Sequence, residues 1–259
     1  MLGPLKNWWR KRIIARSPVS EVQWSRAFSA LPLLDRLPDK DKQRLRDLAI
    51  LFLHQKEFSG ARGLTVSEDM TLLIALQACL PILNLGIEWY RNWVTIIVYP
   101  AGFAPERTVV DEYGLAHRVK QPLSGEAWLR GPVILSWEAT ENAGELDGSN
   151  VVIHEFVHKL DMLNGAANGF PPLHGEMDPA RWSGVFTAAF DDFQQKMQRG
   201  IRTGIDSYAA SSPAEFIAVL SEVFFEKPEI ILHQYPEVYE KLKTFFLQDP
   251  LAGKYPEKP

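Results

Sequence analysis

Apolar positions recur at helical spacing through the first third of the chain. The pattern predicts one helix over residues 39–57 and another over 67–85, with Pro81 bending the second. Residues 1–16 are basic and contain Trp8 and Trp9. We expect this segment to fold back on the body; the alternative is an amphipathic arm that contacts a partner or a membrane surface.

After Trp93 the pattern changes to short runs that are rich in β-branched residues. Strands are predicted at 94–99, 108–112, 116–120 and 132–137. The last of these starts with Pro132, which a strand start tolerates. It is therefore either an edge strand that pairs with an extended substrate or an interior strand. Later helical patterns are predicted at about 180–199 and at 237–247.

Another amphipathic pattern follows the strands. Asn150 suits an N-cap, and the pair Asn164 and Gly165 suits a helix stop. Between them one stripe is apolar and predicts a buried face, formed by Ile153, Phe156, Val157, Leu160 and Leu163. A separate polar stripe carries His154, His158 and Asp161.

His154, Glu155 and His158 form an H-E-x-x-H motif on this helix. Residues four apart project from one helix face on successive turns, so both imidazoles can reach one metal ion. Glu155 is placed to accept a proton from the attacking water. Asp161 is predicted to hold a ligand imidazole in its metal-binding tautomer; the alternative is a solvated surface acid. The motif predicts a zinc site.

A catalytic zinc usually has three protein ligands, so the two histidines need a third. Residues 213–226 form a second apolar helix pattern, and Glu215, Glu222 and Glu226 share one of its faces. Glu215 would complete a His-His-Glu set. However, Ser212 and Glu215 also match a capping box. If Glu215 is only a cap, Glu222 is the next candidate ligand.

The combination of segments resembles a known family. The H-E-F-x-H-x-x-D signature followed by Tyr208 and Glu215 is similar to the gluzincin peptidases, including the catalytic domain of anthrax lethal factor. A closer resemblance, covering most of the chain, is to the Mlc titration factor A family of bacterial proteins. It rests on residues 58–64, 74–80, 83–86, 147–156 and 213–216.

The resemblance implies roles for individual residues. It implies that His154, His158 and Glu215 bind one zinc ion per chain and that Glu155 is the general base. Tyr208 would donate a hydrogen bond in the transition state. Val219 departs from the lethal-factor-like pattern, which has a second glutamate one turn after the ligand.

The order of elements predicts an α+β fold with a zincin-like metallopeptidase core. This core would hold a small mixed sheet, the active-site helix and C-terminal helices. We expect an N-terminal helical region at 1–90 packed on a core at 91–250, with a flexible tail at 251–259.

Composition fits a cytoplasmic enzyme. The 259 residues carry a net charge of −4, so nothing suggests a nucleic-acid surface, where a basic patch would be expected. The longest apolar run, 48–53, is far too short to span a membrane. Cys79 is the only cysteine, so no internal disulfide is possible, and we expect it to be buried.

Two functions follow from the resemblance. The first is a zinc-dependent peptidase, specifically an aminopeptidase, with Glu222 or Glu138 available for the substrate amine. The family also implies binding to the glucose repressor Mlc, which relieves repression of glucose phosphotransferase genes. The alternative is a mainly non-catalytic protein that sequesters the repressor and has a vestigial or structural zinc site. The intact Glu155 favours the enzyme, because a structural zinc needs no base.

Overall fold

The computed structural model describes residues 3–103, 106–110, 116–120 and 124–252. Within these ranges the chain forms ten α-helices, one four-stranded sheet and a separate two-stranded hairpin. The prediction of an α+β fold is confirmed. Most of the predicted tail, from residue 253 onward, lies outside the described residues, as do residues 111–112 of the strand predicted at 108–112.

The helices follow the predicted apolar patterns, with four additions. In chain order they are α1 (Gly3–Ala15), α2 (Glu21–Ser29), α3 (Asp39–Gln55), α4 (Glu68–Cys79), α5 (Trp137–Glu141), α6 (Val151–Asp161), α7 (Pro179–Gln198), α8 (Pro213–Glu226), α9 (Pro228–Gln234) and α10 (Pro236–Phe246). The helix predicted to bend at Pro81 ends instead at Cys79, which is fully buried. α1 and α2 lie within the expected N-terminal helical region but were not placed individually, and α5 and α9 were not predicted.

The strands are β1 (Glu57–Gly60), β2 (Thr95–Tyr99), β3 (Glu106–Val110), β4 (Ala116–Lys120), β5 (Gly125–Ala127) and β6 (Val133–Ser136). The main sheet has the order β1-β2-β6-β5. β1, β2 and β6 run parallel, while β5 runs antiparallel to β6. The sheet is therefore small and mixed, and β3 and β4 pair as an antiparallel hairpin.

β6 settles the alternative left open for residues 132–137. It lies between β2 and β5, and its four residues are all buried. It is therefore an interior strand. The edge of the described sheet next to the active-site helix is β5, which has only three residues and was not expected as a strand.

The N-terminal helices share one hydrophobic core with the rest of the molecule. The ring of Phe156 on α6 lies 5.5 Å from Phe52 on α3, 5.1 Å from Tyr90 and 5.6 Å from Trp93. β1 also extends the sheet from the N-terminal side by pairing with β2. This aromatic cluster fixes one side of α6, because burying large rings stabilises a core strongly. None of the described helices is long and apolar enough to cross a bilayer.

Candidate metal centre

The active-site helix α6 begins where its sequence predicted. The side chain of Asn150 accepts a hydrogen bond from the Ile153 backbone N–H, which satisfies one of the free N–H groups at the helix start. Every residue of α6 from Val152 onward is buried. A polar stripe on a buried helix must find partners inside the protein.

Three of the predicted side chains meet at one point. Nε2 of His154 lies 3.1 Å from Nε2 of His158, and Oε2 of Glu215 lies 3.0 Å from the first and 3.2 Å from the second. Among the described residues, these form the one group of three histidine, cysteine or acidic side chains close enough to share an ion. The structure thus brings Glu215 to both imidazoles.

The spacing of the three atoms fits a metal ion. Ligand atoms ~2.0–2.1 Å from one tetrahedral centre lie about 3.3 Å from one another. Two imidazole nitrogens and a carboxylate oxygen are also a set that binds divalent metals. The Ser212 hydroxyl accepts the Glu215 backbone N–H, so the helix cap is formed while the Glu215 carboxylate turns to the histidines.

Glu222 lies behind His154. One carboxylate oxygen is 2.7 Å from His154 Nδ1, and the other accepts the Asn150 backbone N–H. With Nδ1 donating to Glu222, His154 presents Nε2 as its lone pair toward Glu215 and His158. Glu222 therefore contacts the site through the far nitrogen of His154.

Asp161 is buried, so the alternative of a solvated surface acid is wrong. Its Oδ2 accepts the backbone N–H groups of Asn168 at 2.7 Å and Gly169 at 2.8 Å. Asp161 Oδ1 and His158 Nδ1 are both buried without a hydrogen-bond partner among the described residues. Asp161 thus anchors the loop after α6, and its action on an imidazole stays a prediction.

Glu155 lies against the edge strand. A Cβ on Gly125 would lie 2.6 Å from Glu155 Cγ, so only glycine at 125 leaves room for this carboxylate. The side chain is 4% exposed. Burial raises the pKa of Glu155 to about 7, against the lowering effect of His154 and His158.

A strongly negative environment surrounds the two imidazoles. Burial alone lowers the pKa of His154, but hydrogen bonds to Glu215 and Glu222 raise it well above its usual value. Burial likewise opposes ionisation of Glu215, yet its contacts with both histidines hold its pKa well below the usual range. The same charge that favours a proton on His154 favours a bound cation in its place.

Tyr208 stands at the mouth of the site. It lies in the short turn Ser207–Ala210, half-exposed, with its ring centroid 6.1 Å from that of His154. A cleft opens beside the three metal-ligand candidates, and Tyr208 lines it together with His154 and Glu155. Val219 also lines this cleft, where a glutamate was expected from the lethal-factor-like pattern.

A buried polar network continues behind Glu222. Asn150 Nδ2 donates to Gln77 at 2.9 Å and to Glu226 at 3.0 Å. Glu226 also accepts the backbone N–H groups of Gly144 and Gly148. These hydrogen bonds hold the loop before α6, part of which lines the cleft, to α8.

Lys159 joins α6 to the turn after the edge strand. Its Nζ donates to the carbonyl oxygens of Trp128 at 2.7 Å and Gly131 at 3.2 Å, and it lies 4.8 Å from the Trp93 ring centroid. Burial lowers the pKa of Lys159 to about 8. The residue next to a predicted ligand therefore holds β5 in place. Sequence reasoning missed it, because its two acceptors are backbone carbonyl oxygens 31 and 28 residues away in the chain.

Two polar side chains outside the metal-ligand cluster do not line the cleft. His174 bonds to the Phe245 carbonyl oxygen and packs between Trp89 and Phe245. Glu138 is exposed, and its neighbour Ala139 lines the cleft instead. The additional acids that line the cleft are Asp147 and Asp206 and, on β5, Glu126.

Comparison with known proteins agrees with this geometry. Residues 5–247 match the family described as glucose-regulated metallo-peptidase M90. A protein named Mlc titration factor A from Serratia proteamaculans (strain 568) is 40% identical over 234 residues, covering 89% of this chain and 88% of the relative. Proteins of the same name from Yersinia pestis (strain Pestoides F) and Yersinia pseudotuberculosis (strain IP 31758) are each 38% identical over 243 residues, covering 92% of this chain and 89% of theirs. With a family match over nearly its whole length and a cluster of metal ligands on α6 and α8, this chain belongs to the Mlc titration factor A family of metallopeptidases.

Proposed function

We propose that the chain is a zinc-dependent peptidase that removes N-terminal residues from peptides. The observation that carries this proposal is the convergence of His154, His158 and Glu215, with Glu155 on the same helix. Two histidines and a glutamate are the protein ligands of known zinc peptidases, and they leave a position open for chemistry. We assign zinc for this reason, with one ion per chain.

The chain's own residues supply the proton transfers. When bound by these ligands, zinc supplies Lewis acidity toward the scissile carbonyl and toward water. Glu155 accepts the proton of the attacking water and returns it to the departing amine. Tyr208, at the mouth of the cleft, donates a hydrogen bond to the oxyanion that forms at the carbonyl.

The edge strand β5 would align the substrate. β5 pairs with β6 on one side and packs against α6, with Gly125 touching Glu155. An extended peptide can add to such an edge through main-chain hydrogen bonds. This pairing would bring a peptide bond beside Glu155 and the two histidines.

The cleft acids support specificity for a free N-terminus. Asp147 and Asp206 line the same cleft as His154 and Tyr208. Their charges attract an ammonium group close to the reacting bond. Glu222, which the sequence offered for this task, has both oxygens engaged by His154 and Asn150.

Metal analysis and one substitution test the peptidase. The purified protein should contain about one zinc per chain. Glu155→Gln should retain the zinc and lower hydrolysis of aminoacyl reporter peptides by ~10²–10⁴-fold, because an amide cannot accept the proton. N-terminally acetylated reporters should be cleaved poorly by the wild type. Activity of Glu155→Gln near that of the wild type would exclude the proposed base.

A second function is suggested by the relatives, whose printed name is Mlc titration factor A. We propose that this chain also binds the glucose repressor Mlc in the cytoplasm and thereby relieves repression of glucose phosphotransferase genes. The net charge of −4 does not favour direct contact of this chain with DNA.

Glu155→Gln also separates the two functions. If this variant binds purified Mlc as the wild type does, repressor binding does not need catalysis. If the wild type binds Mlc but lacks peptidase activity with zinc present, the protein is a sequestering partner with a vestigial site. Absence of Mlc binding by the wild type would contradict the second function alone.

A further inference from the structure

A second cavity lies under the N-terminal helix. It encloses about 860 Å³ and shares no lining residue with the metal cleft. One wall is α1, and the other walls come from α3, β1 and α4. Small-molecule sites usually enclose roughly 300–1,000 Å³, so the space suits a ligand of that size. We call it the α1 groove.

The walls of the α1 groove are largely apolar. Ile13 on α1 faces a surface that includes Ile50, Leu53 and Phe58. Ile50 is buried in the hydrophobic core, whereas Ile13, Leu53 and Phe58 are only half-buried. Aliphatic and aromatic groups left partly in contact with water favour an apolar ligand.

The rim of the groove is aromatic and basic. Trp8 and Trp9 are 53% and 54% exposed, and Arg12 lies 5.4 Å from the Trp8 ring centroid. Arg12 and Arg16 both line the groove, and neither forms an ion pair within the described residues. One acid also lines the groove, Glu68, which accepts a hydrogen bond from the Gln23 side chain and keeps its negative charge. With Arg12 and Arg16, the lining still carries a net positive charge.

Residues 3–16 contain five basic residues and no acidic one. Two of the five, Lys6 and Arg10, pair with Glu88 outside the groove. Of the remaining cations, Arg12 and Arg16 face the groove and Lys11 does not line it. The positive charge left over is therefore concentrated at the groove mouth, where it complements an anion.

We propose that the α1 groove binds a free alkyl carboxylate of medium chain length. The alkyl chain would lie against Ile13, Leu53 and Phe58, and the carboxylate would reach Arg12 and Arg16. A guanidinium pairs with a carboxylate through two parallel hydrogen bonds. The apolar walls distinguish this ligand from inorganic phosphate, and the arginines distinguish it from a neutral lipid.

Calorimetric titration with octanoate, decanoate and dodecanoate below micelle formation tests the proposal. Burial of two further methylenes should strengthen binding by about 16-fold, because each contributes about a fourfold increase when fully buried. Dodecyltrimethylammonium, which has the same chain and the opposite charge, should bind more weakly than dodecanoate. Equal affinity for all three carboxylates would overturn the proposal.

Substitutions on α1 locate the site. Arg12→Gln with Arg16→Gln should weaken dodecanoate binding at least tenfold, and Ile13→Glu should abolish it. Lys11→Gln is the matched control on the same helix and should bind dodecanoate as the wild type does. Circular dichroism checks that each variant is folded. If Lys11→Gln weakens binding as much as the double substitution, the effect is general surface charge and the groove is not the site.

A membrane surface is the competing use of the same residues. Sedimentation with phosphatidylglycerol vesicles, beside neutral phosphatidylcholine vesicles, distinguishes it. Binding to anionic vesicles with no calorimetric binding of monomeric dodecanoate would overturn the proposal in favour of a peripheral helix. If Ile13→Glu still binds dodecanoate, the alkyl chain binds outside the α1 groove, which would likewise overturn the proposal.

Discussion

The two ends of α8 contact the same imidazole in different ways. At the first turn, Glu215 is partly exposed and faces Nε2 of both His154 and His158. Two turns later, Glu222 is buried, faces Nδ1 of His154, and also accepts a backbone N–H. The Glu215 carboxylate lies beside the Nε2 atoms of the two histidines, which can bind a metal ion. The Glu222 carboxylate instead faces hydrogen-bond donors, His154 Nδ1 and the Asn150 backbone N–H. Identical side chains on one helix therefore differ in task because of what faces them.

The largest effect should come from the cleft side. Glu215→Gln should remove most bound metal and activity, because an uncharged amide is a poor ligand for a divalent cation. The loss of affinity should exceed the ~10–100-fold that outer residues contribute. Chelator competition measures it, and thermal unfolding should show a folded protein, since the Ser212 cap does not use the Glu215 carboxylate.

Glu222→Gln is the matched control for that substitution. If Glu222→Gln strips the metal while Glu215→Gln retains it, the division of tasks along α8 is wrong. In that case Glu222 is a ligand and Glu215 only a residue of the first turn.

The contact between Glu155 and the edge strand can be broken from the strand side. Gly125→Ala would place a Cβ 2.6 Å from Glu155 Cγ, so the carboxylate must move. Displacement of a catalytic group by about 1 Å can cost ~10²-fold in rate. We expect a comparable fall in reporter hydrolysis with the metal retained. Gly184→Ala, on α7 with nothing within 4 Å, should leave turnover unchanged. Full activity in Gly125→Ala would show that Glu155 needs no fixed position.

On the inner side, Glu222→Gln should have a smaller effect on the metal. An amide cannot accept from both His154 Nδ1 and the Asn150 N–H, so one buried donor loses its partner. Metal affinity should fall by ~10–100-fold. The free energy of unfolding should fall by about 1–3 kcal/mol, as expected for one unpaired buried group. Chelator competition and urea unfolding provide the two values. An unchanged metal affinity would show that the hydrogen bond from His154 Nδ1 to Glu222 is not needed to orient His154.

The last effect concerns stability alone, through the pH dependence of Glu226. Burial raises its pKa to about 7, aided by Asp147 and Glu222 and opposed by the Asn150 side chain. Arg36 also interacts electrostatically with Glu226. Because the folded-state pKa exceeds the unfolded one, the stabilising contribution of protonated Glu226 is complete below about pH 4.5 and is lost as pH rises through 7.

Urea unfolding between pH 5 and 8 measures this contribution. Relative to Glu226→Gln, the wild type should lose up to about 3 kcal/mol of stability over this range. Groups other than Glu226 titrate in both proteins and cancel in the difference. A difference between the two proteins that stays constant with pH would mean that Glu226 is already ionised at pH 5.

Sequence patterns predicted what is local. The Asn150 cap, the apolar stripe of α6 and the i, i+4 histidines depend on residues within one helix, and they are found as predicted. Glu215 lies 57 residues from His158, and the family resemblance was needed to choose it over Glu222 as the expected ligand. The contact of Glu222 with Asn150 depends on how two helices pack, which no spacing records.

The edge strand β5 likewise could not be predicted from local sequence. β5 has three residues, too few for an alternating pattern, and its register is set by pairing with β6. Residues 132–137 carried the stronger strand pattern because an interior strand is buried on both faces. The pattern that is easiest to recognise is therefore not the strand that borders the cleft.

The hydrogen bonds of Asn150 have a consequence for the order of folding. This one residue caps α6 and joins it to Gln77 on α4 and to Glu226 on α8, partners 73 and 76 residues away. Closing loops of this length is slow, so such contacts form late on the folding pathway. Before they form, the chain offers a metal only the two histidines of one helical turn. Tight metal binding should therefore be among the last kinetic steps of folding. In a refolding experiment, metal uptake should lag behind the recovery of the helical circular-dichroism signal.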